Sequence, residues 1–331
     1  MHRRLAGTQT LVSSRFVCLL FLLLLFSLSV HIPEAISKES GVEVETDTCV
    51  EPGDSTGSPD PSACGGSEKV IMSKKRVLVV GANGRTGFRA AKLLQKSEAF
   101  EPLALIRDAS QREKFEAAEI PWVAGNLEGP LEGLLEGVEA VIFSAGGGPQ
   151  GRLKQVLVDL VGVMRLVVAA QEGNSVTRFV LLSGVNTDRR GTVRSMQNVD
   201  PSEFEGPLAP WHRLKAQSED FLMESHIYGR PLNWTIVCPA RLIDDEGKGL
   251  VTVSELHGED DLRFSLSIEQ REAATVRTAG SHDGKAERLA CRRDTVAEVL
   301  VACLDHPNTF GKRFSIVDGL TPVKVALESI Q

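Results

Sequence analysis

The stretch "RVLVVGANGRTGFRAAKLL" (residues 76–94) constrains the fold of this chain more than any other. A short apolar run ends in glycine, glycines recur at 81, 84 and 87, and Phe88, Ala91, Leu93 and Leu94 then follow at helical spacing. A strand that passes through three glycines into a helix is the opening unit of a parallel α/β sheet. Gly81 suits a tight turn, Gly84 a close approach of the backbone to a pyrophosphate, and Gly87 close packing of helix on strand. The free N–H groups at the helix start favour an anion. The spacing therefore predicts dinucleotide binding, with Asn83, Arg85 and Thr86 of the same loop against the cofactor.

Downstream, strand-like and helix-like stretches alternate. "EPLALIR", "PWVAG", "VEAVIFSAGGG", "RFVLLSG" and "NWTIVCPARLI" read as the second to sixth strands and "KRFSIVDG" as the last. "LKQVLVDLVGVMRLVVAAQ" reads as one long helix whose Val156, Leu160, Val163 and Val167 recur at intervals of three and four. "PLAPWHRLKAQSEDFLMES" and "DTVAEVLVACL" are further helices, and "PVKVALESI" a short closing one. The pattern predicts a doubly wound α/β domain over residues 72–331, a parallel sheet covered on both faces, with a small C-terminal substrate lobe. Residues 257–289 are polar and patternless and are expected to be an inserted loop.

The N-terminal part is different in kind. Arg3, Arg4 and Arg15 precede the apolar run "FVCLLFLLLLFSLSV", whose 15 residues fall short of a membrane span of about 20. This is the grammar of a secretory signal over residues 1–35, with a cleavage point after Ala35. An uncleaved anchor is the alternative, and would be the chain's one attachment to a membrane. The destination stays open between the endoplasmic reticulum lumen, secretion and, in an organism with a complex plastid, the plastid. Translation from Met72 would instead leave the protein cytoplasmic. Residues 36–71 form an acidic linker expected to be disordered. The leader carries +3 and residues 31–71 carry −7, which leaves −3 of the total −7 for residues 72–331. A domain so nearly neutral does not call for nucleic acid. Cys238, Cys291 and Cys303 of the domain lack metal-ligand spacing, so no metal is expected.

The second strand ends at Arg107. An acidic residue there would bind the ribose hydroxyls of NAD, whereas arginine suits the 2′-phosphate of NADP. Arg85 would form the other side of that phosphate pocket, so NADP(H) is expected over NAD(H).

Taken together, "VLVVGANGRTG", "LIRDAS", "VAGNLEG", "VDLVGVMRLVVAAQ", "RFVLLSG", "LNWTIVCPARL" and "GKRFSIVDGLTPVKVAL" resemble the atypical branch of the short-chain dehydrogenase/reductase superfamily. That branch includes NmrA-like proteins and biliverdin/flavin reductases, and the resemblance runs from residue 76 to about residue 330. It implies that Asn126 and Leu127 lie near the adenine and that Ser144, Ala145 and Gly146 lie beside a cofactor ribose. It further implies that Pro239 shapes the nicotinamide pocket and that Arg241 anchors an anionic substrate.

Many members of the superfamily use a serine, a tyrosine and a lysine, the tyrosine exchanging a proton as hydride moves. Here Ser183 and Lys215 stand at the matching places, but Trp211 fills that of the tyrosine. The single tyrosine, Tyr228, has Leu232 four positions on, so no Tyr-x-x-x-Lys motif exists. Three readings remain open. Lys215 could hold the ribose while His212 supplies a proton; hydride could pass to a small acceptor such as a flavin or quinone; or the domain could bind dinucleotide without catalysis and report to a partner. In the last case Trp211 is packing; in the others it faces substrate. A sugar-nucleotide epimerase or dehydratase would need the missing tyrosine.

Overall fold

The computed structural model describes residues 73–148, 151–185, 209–255, 268–277 and 287–331. The leader, the linker and much of 257–289 lie outside the described residues. Residues 71–331 form one compact unit. At its centre β1 (Lys75–Val80) runs parallel to β2 (Phe100–Ile106) on one side and β4 (Ala140–Phe143) on the other. Beyond β2 lies β3 (Trp122–Ala124); beyond β4 lie β5 (Arg178–Leu182), β6 (Asn233–Pro239) and β11 (Lys312–Asp318), all parallel. This is a doubly wound order, and these seven strands are those the apolar runs predict. Two further strands extend the sheet in the antiparallel sense, β8 (Leu250–Glu255) on β11 and β12 (Thr321–Pro322) on β8.

The period of two in β1 divides the core. Val77 and Val79 pack on one face with Ala91 and Leu94 of α1 (Arg85–Gln95) and Val296 and Leu300 of α7 (Arg293–Ala302). Leu78 and Val80 pack on the other with Leu166 of α4 (Val163–Glu172) and Leu222 of α5 (Ala209–Met223). A strand buried on both faces is why the sequence shows an unbroken apolar run there.

Two elements differ from expectation. The long helix expected through 153–171 starts as α3 (Arg152–Gln155), passes through a π-helical segment (Val156–Gly162) and continues as α4. The wider turn moves the buried face: Val158, Asp159, Val161 and Gly162 are buried, while Val156 and Leu160 are only half-buried. The expected sixth strand is also two strands in two sheets. β6 stops at Pro239, which has no N–H with which to continue the ladder. After Ala240, β7 (Arg241–Ile243) pairs parallel with β10 (Glu287–Arg292), which pairs antiparallel with β9 (Thr275–Arg277). Within the stretch expected to be a loop, the described residues thus form α6 (Ile268–Ala274), β9 and the start of β10.

Candidate functional site

A cavity of about 250 Å³ opens beside the carboxyl ends of β1, β2 and β4, bounded by Val80, Leu105 and Ser144. That is where a doubly wound sheet places its ligand. Gly81, Asn83 and Gly84 form one wall. Gly81 has φ +80°, and a Cβ on it would lie 2.6 Å from the Ala145 nitrogen. A Cβ on Gly87 would lie 2.3 Å from the Gly81 carbonyl oxygen. Glycine is thus required at 81 by backbone angle and at 87 by close approach. Gly84 precedes α1 with no side-chain cap, and the first turn of α1 carries no acid, so no acid of that turn competes for the helix start. A cradle of this shape and polarity fits a pyrophosphate.

The loops after β2 and β3 build one end of the cavity. Arg107 and Gln111 line it, and Asp108 is turned aside, its Oδ1 accepting from the Ser110 N–H at 2.8 Å. That backbone hydrogen bond holds the Asp108 carboxyl below its ordinary value. Lys114 of α2 (Glu113–Glu116) donates to the Asn83 carbonyl at 3.0 Å and stands over the Phe88 ring, adding positive charge beside the phosphate loop. Burial lowers its pKa. Asn126 and Leu127 also line the cavity; the Asn126 side-chain oxygen accepts from the Glu128 N–H at 3.1 Å, which fixes the turn. Arg165 of α4 secures the same loop by donating to the carbonyls of Leu127 and Gly129.

Beyond Ser144, Ala145 and Gly146, which line the far side, lies a buried polar group that the sequence reading missed. Asp159, in the π-helical segment, is 0% exposed. Its Oδ2 accepts from the Gly147 N–H at 2.7 Å, and its Oδ1 lies 3.1 Å from Lys215 Nζ and 3.3 Å from the donating Trp211 Nε1. Lys215 also donates to the Leu182 carbonyl at 3.3 Å. Ser183, at the end of β5, donates to Glu219, whose other oxygen accepts from Arg313 Nε at 2.7 Å. A single acid inside the apolar run "QVLVDLVGVM" was the available signal for Asp159. Glu219, on an ordinary amphipathic helix, gave none.

Other expected residues are placed elsewhere. Arg85 turns from the cavity to Asp244 at 2.6 Å, in a cluster that includes Arg293 at 2.9 Å from the same carboxylate. Thr86 and Pro239 are buried and do not line the cavity. Arg241 is exposed at the start of β7. His212 is half-buried, its ring edge-on to Trp211 with centroids 5.1 Å apart. Tyr228 is 42% exposed and stacks on Phe221, outside the cavity lining.

The fold and this cavity define a dinucleotide-binding α/β protein of the Rossmann type. A family model described as NAD(P)H-binding matches residues 81–276, and the chain belongs to that family. The chain is 29% identical over 259 residues to the uncharacterized sugar epimerase YhfK of Bacillus subtilis, covering 77% of this chain and 100% of that one. A Bacillus halodurans structure, provisionally named an NAD-dependent epimerase/dehydratase, is 28% identical with a TM-score of 0.58, over 77% of this chain and 99% of that one. A Streptococcus pneumoniae structure, provisionally named an NADH-flavin reductase, shares the fold at 20% identity and a TM-score of 0.50, over 74% of this chain and 100% of that one.

Proposed function

We propose that the protein is an NADP(H)-dependent reductase that passes hydride to a small acceptor, a flavin or quinone, without a tyrosine acid. The observation that carries this reading is the Trp211 position. One helical turn before Lys215 stands an indole that only donates, and its N–H is directed at Asp159. The bound cofactor would supply the hydride; an acceptor of the flavin or quinone type takes its proton from solvent and needs no phenol at residue 211. The residues of this chain bind and orient. The α1 start and the glycine cradle hold the pyrophosphate, Arg107 reaches the 2′-phosphate, and the loop 144–147 supports the nicotinamide half.

Preference for NADP(H) is supported by Arg107 in the lining, Asp108 engaged elsewhere and Lys114 beside the phosphate loop. The names of the Bacillus relatives favour epimerase chemistry, but Tyr228 is the only tyrosine and does not line the cavity. A second reading, a non-catalytic NADP(H)-binding regulator, draws on the engagement of both Ser183 and Lys215 by buried carboxylates.

The test uses residues 71–331. NADPH and NADH binding are followed by fluorescence, and turnover by loss of reduced-cofactor absorbance across flavins and quinones. Turnover on an acceptor with NADPH preferred is the expected result; tight binding without turnover on any acceptor selects the regulator. Arg107→Ala should weaken NADPH by roughly tenfold or more and leave NADH within about twofold, the size of a lost charge-assisted hydrogen bond. Equal losses for the two cofactors would remove the 2′-phosphate role from Arg107.

A further inference from the structure

We propose that Asp159 neutralises Lys215 beside the nicotinamide half of the site and so sets the balance between oxidised and reduced cofactor. The proposal rests on the reading of the cavity as an NADP(H) site. A doubly wound sheet binds the two halves of a dinucleotide on either side of its switch point. Arg107 and Asn126 mark the adenosine half on the β2–β3 side, so the nicotinamide half falls on the β4–β5 side, where Asp159 and Lys215 meet.

Gly146 of the cavity wall abuts the pair on its Asp159 side. A Cβ on Gly146 would lie 3.2 Å from Asp159 Oδ1. The side chains of Lys215 and Asp159 are 4% and 0% exposed, so solvent screens neither. Together they are neutral; alone, either would project a full charge through a medium of low dielectric. The carboxylate is fixed on its other side by the Gly147 N–H. The nicotinamide ring is cationic when oxidised and neutral when reduced. An uncompensated lysine would therefore disfavour the oxidised form, an uncompensated aspartate would favour it, and the intact pair does neither. Lys215 is in this account a positioning residue whose charge is cancelled, and Asp159 is the group that cancels it.

The measurement is the dissociation constant of NADP⁺ and of NADPH, taken by calorimetry on residues 71–331 and its variants, with thermal melts to confirm folding. Asp159→Asn should raise the ratio of the NADP⁺ constant to the NADPH constant on the order of tenfold. Lys215→Gln should lower it by a similar factor, and the double variant should return it to within about twofold of the parent. Each single variant has its own sign, so either decides the matter if the other does not fold. Parallel weakening of both cofactor forms, with the ratio unmoved, would make the pair merely structural and overturn the inference. Failure of the parent protein to bind either form would instead overturn the reading of the cavity.

Discussion

Ser183 is held as a donor to Glu219, and Arg313 closes the group from β11, all three buried. A hydroxyl so engaged ties β5, α5 and β11 together more directly than it could polarise a substrate. Ser183→Ala is expected to lower the unfolding free energy by about 1–3 kcal/mol, with NADPH affinity within about twofold of the parent. Urea melts run beside fluorescence titrations check this; lost affinity at unchanged stability would place the serine against the cofactor instead. Residues differ in how legible they were. That Arg107 lines the cavity could be read because the end of the second strand opens beside the switch point of the sheet. The position of Arg85 could not, because its partner Asp244 is 159 positions away and only the folded chain brings it near.

Among the elements, the turn between β1 and α1 is the most tightly specified. A methyl at position 87 would meet backbone at 2.3 Å, so the helix must retreat from the strand to admit it. Gly87→Ala is expected to lose about 2 kcal/mol of stability through overpacking and to weaken dinucleotide binding at least about tenfold, because the displaced helix start no longer meets the phosphates. Retained affinity in a titration would mean that the α1 start does not hold the ligand. Six of the seven parallel strands were legible as apolar runs because they lie inside the sheet and are largely buried, whereas β3, a margin strand with no buried residue, showed only the short run "PWVAG". The division of "NWTIVCPARLI" was not, since an apolar run does not announce a change of sheet partner at Pro239. The π-helical segment was hidden for a related reason: apolar residues fill nearly every position from Val156 to Val163, so the sequence shows no period there, and only the folded chain reveals that Val158, Asp159 and Val161 face inward rather than Val156 and Leu160. The site was accordingly readable where backbone dictates it, in the phosphate loop, and unreadable where it depends on contacts across the sheet.

For the molecule as a whole, buried titratable groups set the alkaline limit. Burial, reinforced by Asp318, pushes the Cys291 thiol well above its ordinary value of 9.0, and burial pushes Cys303 to about 12. The unfolded chain releases these protons above pH 9.0 while the folded chain keeps them, so their stabilising contribution is complete below that value and lost as pH rises. Each thiol should cost roughly 1.4 kcal/mol by about pH 10. Arg178 works in the opposite sense. Burial lowers it to about 10 from 12.5, so above about 10 the unfolded chain holds the extra proton and the decline is partly offset. Melts across this range should therefore fall most steeply just above pH 9, and Cys303→Ala should flatten the fall; an unchanged slope in that variant would remove Cys303 as a cause.

The two margins of the nine-stranded sheet are β3 and β12, three and two residues long, and β12 ends in Pro322. A passing extended chain finds at neither margin a row of unpaired amides long enough to template its own pairing, and proline removes one donor outright. Among the described residues, extension of this sheet by a second chain is thereby discouraged at both of its margins.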